Sequence, residues 1–527
     1  MPSTIPTAPT TTLATTTTTA SPPSADEVCP ATACLVYHIA ERATWSDGTT
    51  VTSDDFIATI ADALDPLRGG PSTGYDQISH VEVIDDKTFR LDFDRPHGAW
   101  QSLFDRLQPA AGSTTIEDVA STGAFRFVEW VPGDRIVLER IPGWWSSVDP
   151  ISGLPAGEVT EIRFVFIEDH QDMLTALERG EVDVITTRPD EETIGRLEDE
   201  EDIRFSIAPG PFWEHIDFHH EDSLLAQRWL REAIWLAIDR EKILDRTIRL
   251  IDPGSSRLDN TLWMTNAAWY EAHMTASHDP AAAEQILVDN SCVLDDDDVY
   301  RCGDRRLEFV WATTSDDPAR REIFESVSED LAAVGIDLAG AFRPPSAFVA
   351  REFLFGSSEV WQIINFSWRA RSDPHVAETT YLCEGELNVN RYCNPELESL
   401  MRATATITDP EGRAAAINEV DRLYLDDLVV IPLYQKPTMM AWSAEITGPS
   451  PNFTYSTDLW NVAAWSGKSS LVIALPAEPL SLTSHSRGDD SAEIVLSTML
   501  YGAFGMTPAQ QFVPVLVESV VVLEGGG

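Results

Sequence analysis

Positive charge is scarce in this sequence. Its 527 residues hold 37 Lys and Arg against 86 Asp and Glu, a formal net charge of -49. A surface that negative repels nucleic acid phosphates and anionic membrane surfaces, so neither is expected as a partner. No run approaches eighteen consecutive apolar residues, so no membrane insertion is expected either. The opening stretch "MPSTIPTAPTTTLATTTTTA" has no basic segment followed by an apolar one and does not read as a signal peptide. A P-loop, a dinucleotide fingerprint and an H-E-x-x-H pair are all missing. The one G-x-S-x-G match, "GPSTG" at 70–74, follows a helix ending at Asp65-Pro66. A nucleophile elbow needs a strand there, so the match is set aside and no enzyme and no cofactor are expected.

Cysteine is sparse but placed in local pairs: Cys29 with Cys34, Cys292 with Cys302, and Cys383 with Cys393. None has the C-x-x-C spacing of a zinc ribbon or a redox motif. Three short-range disulfides in an oxidising compartment are the reading this spacing favours. The acidic run at 295–298 lacks the spaced ligands of a calcium loop and reads as a solvated turn between Cys292 and Cys302.

What is present is apolar: 43% of residues are hydrophobic and 16 are Trp, ample for a large core in two or three domains. Residues 1–33 are mainly Thr, Pro, Ser and Ala and read as a disordered tether. Beyond them, Leu35, Tyr37 and Ile39 share one face of a strand. Thr52 and Asp55 open a helix in capping-box fashion, with Phe56, Ile60 and Leu64 on its buried face. A hairpin turns at Asp85–Lys87 and another at Pro132-Gly133-Asp134. The strand–helix–strand run from 161 to 187, with a strand-then-helix order again at 307–340, argues for an α/β fold. A long helical stretch is expected from about Ser223, with Leu230, Ile234 and Ile238 inward and Asp239 capping its continuation.

Several segments in order resemble one family. "ATWSDGTTVTSDDFIATI" at 43–60 is similar to a signature of the extracellular solute-binding proteins of family 5, the oligopeptide- and dipeptide-binding class that serves ABC importers. "STGAFRFVEWVPGDRIVLERIPGWW" resembles the family's hairpin and aromatic pair, with Ala124 where Pro is usual. "LTALERGEVDVI", "WLREAIWLAIDREKIL", "NRYCNPELESL", "LYQKPTMMAW" and "LWNVAAW" follow in the family's order. The resemblance runs from 34 to 465. The family's first strand and helix are missing before Cys34, and a segment like them appears as "LVIALPAEPLSLTSHSRGDDSAEIVLSTMLYGAF" at 471–504. The chain therefore resembles a circular permutant. Val515, Val517, Val520 and Val522, in a terminal strand with no successor, are expected to pair with residues 35–41. The alternative is an excerpt from a tandem of two binding proteins.

The resemblance implies an α/β, two-lobed, periplasmic-binding-protein-like fold of class II type with an inserted subdomain. Residues 34–122, completed by 506–527, are expected to form that subdomain. Lobe one is expected at 123–210, lobe two at 211–428, and the return to lobe one, with the transplanted strand and helix, at 429–505. The implied function is capture of peptides or small polar solutes by hinge closure, outside the cell or tethered to its surface, by a monomer that meets an ABC permease. A module that kept the fold and lost transport is the alternative. The expected ligand set is Phe212, Trp213, His215, Trp368, Arg369, Arg371, Asp373, Tyr434, Arg487 and Asp489. In peptide-binding relatives an Asp three residues after the Trp takes the peptide's amine. Here that position is Arg371, which suits a carboxylate or phosphate, while a loop one residue shorter would give the amine role to Asp373. His215, Asp217 and His219 alternate on one strand face, a spacing that a metal ion could use, although no metal site is expected.

Overall fold

The computed structural model describes residues 29–65, 74–110, 120–187, 189–275, 278–371, 373–374, 378–452, 459–483 and 489–524. Most of the Thr-rich tether, Ser72 of the G-x-S-x-G match and Arg487 lie outside them.

One ten-stranded mixed sheet forms the spine. From edge to edge its strands are Asp337–Arg343, Glu308–Thr314, Ile363–Arg369, Ile203–Phe218, Val430–Ser443, Val184–Thr187, Ser470–Leu475, Glu161–Phe166, Arg135–Arg140 and Phe125–Val131. The two central strands are long, 16 and 14 residues, and run antiparallel from Val430 opposite Asp217 to Ser443 opposite Ile203. They alone carry the sheet from one core to the next. Their ladder is broken midway, where the register shifts between Pro432 and Tyr434 and again between Gln435 and Pro437, and Pro437 faces Pro209. Two prolines opposite each other supply no N–H donor, so this is the weakest rung of the pair.

On one side of that break, Ile216, Phe218, Leu230, Ile234, Trp311, Val327, Ile363, Ile417 and Ile431 belong to a large apolar core. On the other side, Phe125, Ile136, Phe164, Val184, Trp465, Ile473, Val495 and Met499 form a second. Strand Ser470–Leu475 is parallel to Glu161–Phe166 along its whole length and touches Val184 on its other edge, so a segment late in the chain sits at the centre of this half. The helix that follows it, Asp490–Met499, buries Ala492, Val495, Leu496 and Met499 completely.

A third core belongs to a separate four-stranded antiparallel sheet, ordered Val517–Glu524, Ala33–Ile39, Thr88–Phe93, Ile78–Asp85. The first and last strands of the described chain are neighbours in it: Leu35 faces Val522, Tyr37 faces Val520, and a bulge follows His38. Tyr37, Phe56, Phe89 and Phe104 stack within this core, which also takes in Val515, Leu516 and Val517.

The helix Ser53–Ala63 starts as its sequence requires, with the Thr52 N–H donating to Asp55 Oδ2 at 2.8 Å. Leu64, expected on its buried face, is instead 45% exposed, because the helix stops at Ala63 and Leu64 lies past the last turn. The stretch from Ser223 also differs: its helix begins at Arg228 and ends at Ala237. A second helix, Arg240–Arg246, is capped by the Asp239 carboxylate on the Lys242 N–H. All three cysteine pairs form disulfides. Among the described residues no helix is long and apolar enough to cross a membrane.

Candidate functional site

The central strand Ile203–Phe218 pairs with Ile363–Arg369 so that Trp213 faces Trp368 and Phe212 faces Arg369. Alternation then divides the expected ligand residues between the interior and the surface. His215 is fully buried, with ring contacts of 4.5 Å to both Trp213 and Phe366. Trp213 is 4% exposed and Tyr434 is 2% exposed. These three are part of the buried interior. Phe212, one step along the same strand, is 44% exposed.

Trp368 is half-buried against Phe366, and Arg371 is exposed. Arg369 reaches across to Asp490, with Nη1 3.5 Å from Oδ1, at the start of helix Asp490–Met499 on the other half of the molecule. Asp489 caps that helix: its carboxylate accepts from the N–H groups of Ala492 at 3.0 Å and Leu480 at 2.8 Å. Asp373 is buried and held by Arg413 through two hydrogen bonds of 2.7 Å. Phe212, Trp368 and Arg369 are thus brought together with Asp490 at one edge of the seam, while Asp373 is buried against helix Pro410–Asp426 of the half that holds Trp368.

A charged cluster beside the strand crossing is absent from the residues picked out in the sequence. Glu214 is fully buried and accepts from Arg320 at 3.0 Å, Ser367 Oγ at 2.6 Å, Asn365 at 3.1 Å and Lys436 at 3.1 Å. Burial alone would oppose its ionisation, but Lys436 and Arg320, with the Ser367 hydroxyl, prevail and hold it at about 2. Lys436 also bonds Asp317 at 3.0 Å. Two cations and two carboxylates thus neutralise each other where the two long strands cross. Their residues come from positions 214, 317, 320 and 436, too far apart in the chain for any local pattern to mark them.

The histidine–aspartate trio does not converge on a shared point. Burial pushes His215 down to about 3, and burial raises Asp217 to about 7 against a hydrogen bond from Asn390. Their closest approach, Nδ1 to Oδ2, is 3.4 Å. His219 bonds the Gly356 carbonyl at 3.0 Å and packs on Trp361. Among the described residues, no group of three His, Cys, Asp or Glu side chains is arranged to hold a metal ion.

The unit built on the third core and its neighbouring hairpin touch the half with the larger core at several points. Gly98 N–H donates to Ala405 O at 2.6 Å and Trp100 Nε1 to Thr408 O at 2.9 Å. Ala268 N–H donates to Ala509 O at 2.8 Å, and Asn266 Nδ2 to Pro508 O at 2.7 Å. A Cβ on Gly98 would stand 2.6 Å from the Ile407 carbonyl oxygen, so only glycine permits this approach.

Two cored halves joined by a pair of long crossing strands, with charged and aromatic side chains at the seam, define a hinged solute-binding clamp. Residues 27–380 match the family described as bacterial extracellular solute-binding proteins, family 5, and the chain belongs to that family. The oligopeptide-binding protein OppA of Mycobacterium tuberculosis is 25% identical over 428 residues, spanning 77% of this chain and 70% of that one. The periplasmic OppA of Escherichia coli is 20% identical over 471 residues, 81% of each. Among solved structures, a periplasmic EDTA-binding protein, EppA, superposes with a TM-score of 0.67 at 22% identity, over 83% of this chain and 85% of that one. The two-lobed fold expected from the sequence is the fold observed.

Proposed function

We propose that this chain captures peptides or similarly sized polar solutes between its lobes and presents them, closed, to an ABC permease. The observation that carries this reading is the paired crossing at Pro209 and Pro437. One rung without N–H donors separates two well-packed cores and gives rigid-body closure a defined axis. The seam supplies an aromatic edge at Phe212 and Trp368 and the cation Arg369, whose present partner is the exposed Asp490. A solute carboxylate placed there takes over Arg369 from Asp490. The names of the OppA relatives favour peptides, and that of the EDTA-binding neighbour a wider range of polyanionic solutes.

The protein acts by binding alone, as a monomer outside the cell. Three disulfides favour that compartment, and a net charge of -49 opposes self-association. We also infer that its element order is a circular permutation of the family's, since Ser470–Leu475 occupies a central sheet position and Val517–Glu524 pairs within the chain with Ala33–Ile39.

Titration calorimetry of the full chain with di-, tri- and pentapeptides, and with EDTA as the polyanion, tests the reading. Binding of at least one peptide length, with a smaller radius of gyration in solution scattering, supports it. Binding of EDTA alone moves the solute class to polyanions. No heat and no compaction with any of them would overturn it.

A further inference from the structure

The ten-stranded sheet has two open edges, and they are finished differently. At one, strand Phe125–Val131 carries Arg126 paired with Glu139 and Glu129 paired with Arg135, so its charges cancel. At the other, strand Asp337–Arg343 pairs only with Glu308–Thr314 among the described residues. Around its end stand Arg321, Arg343 and Arg351, all three exposed. Each guanidinium lies over an aromatic ring: Arg321 on Phe342 at 4.4 Å, Arg343 on Phe353 at 4.2 Å and Arg351 on Phe355 at 5.0 Å. Among the described residues none of the three makes an ion pair or a side-chain hydrogen bond, although Glu322, Glu325 and Glu352 are near in sequence. Arg391, bonded to the Phe355 carbonyl at 2.6 Å, adds a fourth cation. Acids outnumber bases 86 to 37 in this chain, so cations left without carboxylates here reverse the sign of the surface locally.

The backbone of this edge is as open as its charge. Its register with Glu308–Thr314 runs over seven residues without a bulge, and the strand holds no proline. Its unpaired N–H and C=O groups are therefore a template for another strand. Alternation puts Phe342, with Arg321, on the face of helix Pro318–Ala333, and Arg343, with Phe353, on the opposite face. An added strand also sends successive side chains to opposite faces, so its complement is a run of consecutive acidic residues. A broad anionic surface fits poorly. It would come within the screening length, about 8 Å at physiological salt, of the surrounding acidic surface and be repelled. One extended segment meets the edge alone.

We propose that the edge of Asp337–Arg343 is a docking surface for an extended acidic segment of a partner protein, added as a further strand and held by Arg321, Arg343 and Arg351. The strand ends close to the crossing of the long strands: the Ser315 N–H donates to Arg343 O at 2.8 Å, and Arg320, next to Arg321 in the chain, holds Glu214. A partner seated there is placed to sense lobe closure. The inference rests on the capture-and-delivery reading only for naming that partner as the permease.

The test is amide hydrogen exchange of the full chain at low salt, with octaglutamate, kept extended by its own charges, as the probe. Exchange across Asp337–Arg343 is expected to slow by about tenfold, saturably, while the neutralised edge Phe125–Val131 does not respond. Added salt should weaken the effect. The neutral variant Arg321→Gln/Arg343→Gln/Arg351→Gln should lose it, and the charged variant Arg321→Lys/Arg343→Lys/Arg351→Lys should keep most of it. No slowing, equal slowing at both edges, an unchanged response in the neutral variant, or loss in both variants would each overturn the docking surface. Slowing by phosphatidylglycerol vesicles and not by octaglutamate would overturn it in favour of a membrane. Calorimetry with the di-, tri- and pentapeptides keeps the two readings apart, since the neutral variant should bind them as the parent does. Octaglutamate protection with no peptide bound leaves the surface standing and removes the delivery reading. Peptide binding without that protection does the reverse.

Discussion

Arg413 holds the Asp373 carboxylate in a two-pronged pair, both hydrogen bonds 2.7 Å long and both side chains buried. The aspartate nearest to Trp368 in the sequence is therefore a fixed part of the seam wall. Arg413→Ala leaves that carboxylate buried without its main partner, at an expected cost of about 3–5 kcal/mol. Thermal unfolding of Arg413→Ala against the double variant Arg413→Met/Asp373→Leu checks this. The double variant should recover most of the loss, and equal loss in both would contradict it.

Gly98 permits a backbone contact between the third core's unit and the larger half that no other residue allows, since any Cβ meets the Ile407 and Thr404 carbonyls at 2.6 and 2.8 Å. Gly98→Ala is expected to penalise the closed form selectively. Solution scattering should report a more open molecule, and solute affinity should fall by about tenfold, equivalent to about 1.4 kcal/mol. The melting temperature of each half should barely move. A compact Gly98→Ala protein would show that the contact does not limit closure.

Asp217 gives the hinge strand a pH dependence of known sign. Burial raises its carboxyl to about 7, so the folded state holds a proton that the unfolded chain, titrating near 4, has released. Its contribution to stability is complete below about pH 4 and is lost as pH rises through about 7, by at most about 4 kcal/mol. His215 and His220, both pushed down to about 3 by burial, act in the opposite sense: their contribution is present above about pH 6.5 and lost as pH falls. Asp217→Asn keeps an acceptor for Asn390 and removes only the first effect. Its melting temperature relative to the parent should therefore rise between pH 5 and pH 8, and a constant difference would refute the assignment.

Val520 opposite Tyr37 ties the end of the described chain to its beginning. Deleting residues from 517 onward exposes the edge of Ala33–Ile39 and opens the aromatic core beneath it. Hydrogen exchange should then become fast across 33–39 and 88–93 while the ten-stranded sheet stays protected. Unchanged protection of Ala33–Ile39 in the shortened chain would argue against the pairing.

The elements were legible where local pattern is strong. The alternation of Leu35, Tyr37 and Ile39, the Asp239 cap and the three short cysteine spacings each specify local structure within a few residues. The partner of strand 33–39 was also legible, because an apolar strand of valines needs a neighbour along its edge. The site was less so. Strand alternation put His215 and Asp217 on one face, but it does not say that the face is dry, and both are buried. The Glu214–Arg320–Lys436 cluster joins residues up to 222 positions apart, and no local pattern marks it.

The sequence by itself determined the family, the element types and the acidic surface, because these depend on residue order and composition alone. Tertiary structure decided which groups are neutralised and which are left unmet. Arg413 on Asp373 closes one polar group, while a turn at Gln510 leaves another without a partner. The physical reason is that hydrogen-bond satisfaction and desolvation are properties of a packed interior, set by contacts between distant segments.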